Sequence, residues 1–169
     1  LYCSQDAPEF ACEDWCIDTW VYRTLDMNYF GFAFFNNLNM FYLLRSPVNS
    51  GAYELMVARS AALMYGNAVI PVDQWVHIAL TAEKTGIGSS VLRFFVDGVL
   101  DNTLIRTSDL STMFQTGGNS FSIGRTDSAG FGGIIGYLNG YRVTAGTPRW
   151  TANFTPPSSA SDYGPPGIV

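Results

Sequence analysis

An all-β, antiparallel fold, either a sandwich or a barrel, is the class that this 169-residue sequence predicts, and three observations predict it. Only 14% of the residues are charged while 15% are aromatic and 17 are glycine, a composition suited to short strands and tight turns and poor in material for long amphipathic helices. The chain divides into about ten short apolar-rich runs bounded by Gly, Pro, Asn and Asp. These runs follow one another without intervening helical periods, which excludes an alternating β and α plan. With 47% apolar residues, a chain of this length hides roughly 70% of its unfolded surface in one core. We read residues 1–157 as one sandwich domain and residues 158–169 as a Pro/Ser/Gly-rich tail or linker.

The elements can be justified in order. In residues 15–23, Trp15, Ile17, Thr19 and Val21 alternate with Cys16, Asp18, Trp20 and Tyr22, a strand buried on one face and partly on both. Residues 29–35 and 39–45 are aromatic-rich runs joined through Asn36-Asn37, a hairpin connection. Residues 51–58 and 61–65 form a further pair, and Pro71-Val72-Asp73 breaks the chain before a strand at 74–83. There Val76, Ile78, Leu80 and Ala82 should face the core, opposite Trp75, His77, Ala79 and Thr81. Residues 91–96 run into Asp97-Gly98, the signal of a two-residue primed turn, and 99–106 return from it. A polar loop is expected at 107–119, with one helical turn at 109–114, then strands at 120–125 and 134–144 separated by a Gly-rich loop at 126–133.

Charge and cysteine usage narrow the function classes. A net charge of −5, one histidine and nine scattered basic residues argue against nucleic acid, which needs clustered Lys and Arg. No apolar run approaches the roughly 20 residues needed to cross a bilayer, so no membrane insertion is expected. Cys3, Cys12 and Cys16 are an odd set crowded at the start, for which free thiols are the favoured reading and a Cys12–Cys16 or Cys3–Cys12 bridge the alternative. Free thiols suit a protein made in a reducing cytosol and exported by lysis or assembly. The chain opens with neither Met nor a signal peptide, and it reads as part of something longer.

Several segments in order resemble the laminin-G-like, concanavalin A-like family, particularly its versions in tailed-bacteriophage structural proteins. They are residues 14–22, 74–80, 92–100, 121–125 and 136–144, and the closing Pro148-Arg149-Trp150-Thr151-Ala152-Asn153-Phe154-Thr155-Pro156-Pro157. The resemblance covers residues 14–157 and implies an antiparallel β-sandwich of the concanavalin A-like jelly-roll type. It also implies a virion-surface or extracellular location, with other virion proteins or copies of the same chain as partners, a homo-oligomer being natural for a fibre or spike. Two departures stand out. Asn139-Gly140 replaces the acidic residue that the family often carries there, and one or two strands usual before Leu1-Tyr2 are absent.

Catalysis finds little support in the residues. Glucanases that resemble this fold carry a Glu-x-Asp-x-Glu cluster on one strand, whereas Glu13, Asp14 and Asp18 are the nearest approach here. His77 lies inside a strand and reads as a packed, hydrogen-bonded residue. Cys3, Cys12 and Cys16 with His77 lack a usual zinc spacing. Calcium, which some laminin-G-like domains hold at the rim, has loop or hairpin-end candidates in Asp97, Asp101, Asp109 and Asp127, although Asp97 is also explained by its turn. Trp150, Tyr137, Phe131 and Tyr65 lie near expected loops and are candidate platforms for sugar rings, while Trp20 and Trp75 are assigned to the interior. Two functions follow: a non-enzymatic module that holds a host cell-surface glycan, or an architectural virion subunit such as a capsid decoration or tail-associated protein with no ligand.

Overall fold

The computed structural model describes residues 2–3, 14–25, 29–35, 39–45, 53–58, 62–64, 66–107, 121–123 and 135–158. Its strands are β1 (Tyr2–Cys3), β2 (Trp15–Arg23), β3 (Tyr29–Phe35), β4 (Asn39–Arg45), β5 (Tyr53–Ala58), β6 (Ala62–Met64), β7 (Trp75–Gly86), β8 (Ser89–Val96), β9 (Val99–Arg106), β10 (Phe121–Ser122) and β11 (Gly136–Ala145). They form a six-stranded sheet, β1-β10-β3-β4-β5-β6, and a five-stranded sheet, β11-β2-β7-β8-β9, in which every pairing is antiparallel. The expected runs at 29–35 and 39–45 match β3 and β4 to the residue, and no helix occurs among the described residues. Of the expected strand at 120–125, Phe121–Ser122 pair as β10 while residues 120, 124 and 125 lie outside the described residues, and the strand expected at 74–83 extends to Gly86 because its hairpin with β8 continues. Residues 108–119 of the loop expected at 107–119, including its helical turn, and the whole of the 126–133 loop lie outside the described residues.

The core lies on the inner face of the five-stranded sheet. Trp15, Ile17 and Val21 of β2, Val76, Ile78, Leu80 and Ala82 of β7, and Leu92 and Phe94 of β8 form one cluster, joined by Met64 of β6 and by Ile70. The alternation predicted for β7 is therefore observed. Along most of their length the opposite faces of β2 and β7 are as dry, however: Cys16, Asp18, His77, Ala79 and Thr81 are all buried. A pleated strand covered on one side only would show alternating exposure, so this outer face has its own cover.

That cover is the segment 148–157, a strap without regular structure that follows β11. The Phe154 N–H donates to the Gly98 carbonyl (2.9 Å), the Leu100 N–H donates to Asn153 Oδ1 (2.8 Å), and the Trp20 indole N–H donates to the Pro157 carbonyl (2.8 Å). The strap lands on the β8–β9 turn, where Asp97 (φ 49°) and Gly98 (φ 76°) both take the left-handed conformation of a primed turn. At Gly98 a Cβ would overlap the Phe154 carbonyl oxygen and sit 2.9 Å from Pro156 Cδ. Glycine is thus required there both by the turn and by the strap.

Candidate functional site

The outer face of the five-stranded sheet carries two constellations, one open and one covered. The open one follows from register. Tyr22 of β2 lies directly between Trp75 of β7 and Tyr137 of β11, and side chains opposite one another across antiparallel strands share a face. Ring centres are 5.4 Å apart for Tyr22 and Trp75 and 6.0 Å apart for Tyr22 and Tyr137, with planes inclined by 59° and 57°. Tyr137 is 63% exposed and Trp75 43% exposed, while Tyr22 between them is half-buried. Gly136 holds β11 close enough for this: its φ is 153°, and a Cβ there would overlap the Tyr22 carbonyl oxygen.

The row stands at the end of the sheet that the strap leaves uncovered. Exposed Leu25, Val72 and Ile135 lie at the same end, where the Thr24 N–H donates to the Ile135 carbonyl and the Asp73 N–H to the Arg23 carbonyl. Thr24, Asp73, Gln74 and Asn139 are exposed polar neighbours in sequence. Ring faces ranked at roughly the strand spacing of 4.8 Å, with hydroxyl, amide and carboxylate groups nearby, can take the apolar faces of successive sugar units while polar groups meet the hydroxyls.

The covered constellation centres on Asp18. Arg142 of β11 donates to both of its carboxylate oxygens, Nε to Oδ1 and Nη2 to Oδ2, each at 2.9 Å. His77 Nε2 stands 3.3 Å from Asp18 Oδ2, and both side chains have 0% exposure. The expectation that His77 is a packed, hydrogen-bonded strand residue is met. Its ring is met edge-on by Trp20 (5.3 Å), Trp150 (5.9 Å) and Phe154 (5.7 Å), the last two from the strap. One row further along, the Thr81 hydroxyl donates to Cys16 Sγ at 3.3 Å. Burial, with Asp18 nearby, pushes the Cys16 thiol up to about 12, and the same two causes raise the Tyr141 phenol.

Cys16 is a free thiol. A thiolate is the reactive form, so a thiol reagent at about pH 8, close to the ordinary cysteine range, should leave Cys16 unlabelled in the folded protein and label it once denaturant is added. Mass spectrometry of the Cys16 peptide before and after unfolding checks this.

Of the residues expected to form a site, Tyr137 is the one placed in the aromatic row. Trp150 lies in the strap, stacked on Phe154 (3.9 Å, 7°) with the Arg142 and Arg149 guanidinium carbons 5.4 and 5.3 Å from its ring centre, so a face it would offer to a sugar is occupied by protein. Phe131 and Tyr65 lie outside the described residues, as do Asp109 and Asp127. Assigning Trp75 to the interior is corrected: it opens β7 at the margin of the sheet, beyond the strap, and Trp20 is half-buried beneath Pro157. Tyr22 and Trp75, which the sequence alone does not single out, join Tyr137 as candidates. Alternation places each on a face, but only the β11-β2-β7 register makes them neighbours.

Two of the calcium candidates, Asp97 and Asp101, lie among the described residues. Asp97 Oδ1 accepts the His77 N–H, and Asp101 accepts the Asn67 and Ala68 N–H groups on its two oxygens, all at 2.8 Å. Among the described residues no group of three or more His, Cys, Asp or Glu side chains could hold a metal ion. As arranged, Asp97 and Asp101 are acceptors for backbone N–H groups.

A family model described as Laminin_G_3, concanavalin A-like lectin/glucanases superfamily, matches residues 2–149. Among solved structures, domain 4 of AbnA, a GH43 extracellular arabinanase from Geobacillus stearothermophilus in complex with arabinotriose, is similar with a TM-score of 0.58 and 19% identity, over 90% of this chain and 66% of that one. The enzymatically active domain of tailspike protein 2 from bacteriophage CBA120 is similar with a TM-score of 0.51 and 14% identity, over 86% of this chain and 23% of that one. The chain thus spans just under two thirds of the first and about a quarter of the second. At these identities the likeness is one of fold. Among curated proteins no relative matches.

Proposed function

The chain belongs to the concanavalin A-like lectin/glucanases superfamily, and from that premise we propose that it is a non-catalytic module that binds a carbohydrate chain through Tyr137, Tyr22 and Trp75, on a virion or another extracellular surface. The observation that carries this reading is the row of three rings, two of them open to solvent, at the uncovered end of a sheet otherwise closed by the strap. Inclined rings suit an extended chain whose sugar units turn relative to one another. The solved arabinanase domain holds an arabinotriose and comes from an extracellular enzyme, and the tailspike belongs to a bacteriophage. Both support the sugar and the setting by analogy of fold alone. Binding without cleavage is favoured by the carboxylates: Asp14, Asp97 and Asp101 accept backbone N–H groups, and Asp18 is buried under Arg142.

The test is binding to a panel of oligo- and polysaccharides, with product analysis and with or without a calcium chelator. The expected result is saturable binding, no sugar released, no effect of the chelator, and at least about tenfold weaker binding in Trp75→Ala and Tyr137→Ala, or roughly 1.4 kcal/mol. Binding untouched by both substitutions would remove the row from the site.

A second reading, an architectural virion subunit with no sugar ligand, is favoured by exposed Leu25, Val72 and Ile135 beside the same rings, since soluble monomers seldom leave contiguous apolar patches open. It predicts concentration-dependent self-association, or attachment to other virion proteins, that is weakened by Leu25→Ser with Ile135→Ser and indifferent to sugars.

A further inference from the structure

We propose that the strap at residues 148–157 is an acid-released clasp and that His77 is the group whose protonation releases it. The inference is independent of any sugar ligand. It starts from the ring of His77, which forms the floor on which Trp150 and Phe154 of the strap and Trp20 of β2 all stand edge-on. Its Nε2 is spent on Asp18, while Nδ1 is buried without a hydrogen-bond partner among the described residues. The neutral ring with its proton on Nε2 satisfies this arrangement, donating to Asp18 and leaving one lone pair unused. A second proton would put an N–H on Nδ1 where no acceptor stands, and a buried donor without a partner is costly.

Charge works in the same direction. The charged groups about His77 are Asp18, which its ring contacts, Arg142 on that carboxylate, Arg149 over the ring of Trp150 in the strap, and Asp97 of the β8–β9 turn, which accepts the His77 backbone N–H. Asp18 is already matched by the bidentate Arg142, so a protonated imidazole would leave one uncompensated positive charge in a site from which the strap excludes water. Departure of the strap hydrates both Nδ1 and that charge. The linkage therefore has a definite sign: the clasp is closed where the imidazole is neutral and opens as pH falls. Among side chains, imidazole is the one whose unperturbed charge change falls between about pH 5 and 8. Cys16 and Tyr141 are displaced upward, away from this range.

The three anchors of the strap provide the readout. Nuclear magnetic resonance of the whole chain, titrated from about pH 7.5 to about pH 5 across the histidine range, would follow the Trp20 indole N–H, the Phe154 amide and the His77 ring nitrogens. The expected result is reversible loss of the bonded Trp20 and Phe154 signals in step with protonation of His77. The released fraction should rise by up to about tenfold per pH unit, the limit for one proton, and His77→Gln should abolish the transition. Strap signals that persist while the ring of His77 becomes protonated, or a transition that survives in His77→Gln, would overturn the proposal. Should His77→Gln not fold, the wild-type titration still decides, because release and ring protonation must coincide.

Discussion

Replacing Asp18 with asparagine should cost about 3–5 kcal/mol of folding stability, the range for removing one partner of a buried ion pair. The side chain has 0% exposure and serves two partners at once, taking both hydrogen bonds from Arg142 and the contact from His77 Nε2. Asparagine keeps the shape but loses the charge and half the acceptor capacity, leaving a guanidinium beneath the strap without its counter-ion. Against a total stability of about 5–15 kcal/mol for an ordinary domain, this is a large fraction. Equilibrium urea unfolding measures it as a fall in midpoint at unchanged slope. Asp18→Asn combined with Arg142→Met should recover part of the loss, since the apolar replacement removes the stranded charge. A double variant no more stable than Asp18→Asn would show that the cost lies elsewhere.

Gly98→Ala should be the most damaging of the conservative changes at the turns. Left-handed backbone costs an alanine about 1–2 kcal/mol, and here the new methyl also meets the Phe154 carbonyl and Pro156. Both neighbours belong to backbone or a proline ring, so the clash is relieved only by moving the strap. Gly88, with φ 65° and nothing within 4 Å of its missing Cβ, supplies the control. Gly88→Ala should show the conformational cost alone. Gly98→Ala should exceed it and, in addition, weaken the Trp20 indole bond to Pro157. Thermal unfolding compares the two losses, and tryptophan fluorescence reports whether the strap has shifted; equal losses with unchanged fluorescence would contradict the assignment of a steric role to Gly98.

How much of this was legible in the sequence depends on whether local pattern or distant pairing decides the feature. Alternation in β7 gives the correct inner face, the runs at 29–35 and 39–45 pair as the expected hairpin, and Asp97-Gly98 marks a primed turn, because each is set by neighbours along the chain. Trp75 was misplaced because alternation assigns a face without saying where the cover on that face stops. The row of Tyr137, Tyr22 and Trp75 depends on two strand registers at once, and only Tyr137 had been singled out. Asp18 could be noticed as an acid inside a strand, but its partner Arg142 lies 124 positions away. That Asp101 accepts the Asn67 and Ala68 amides is equally hidden, since it depends on a chain crossing that no local motif announces.

The strap also governs the order in which the molecule can be completed during synthesis. Trp20 and the Pro157 carbonyl are separated by 137 positions, and such distant pairings slow folding because a long loop must close before the contact forms. While ribosomes add about 5–20 residues per second, β2, β7 and β8 can pair before residues 148–157 exist. In that interval His77, Asp18 and Phe95 face water on a sheet that has an inner core but no outer cover. The nascent chain therefore presents, for several seconds, an apolar and charged surface that the closed strap later covers, and transiently exposed surface of this kind favours aggregation.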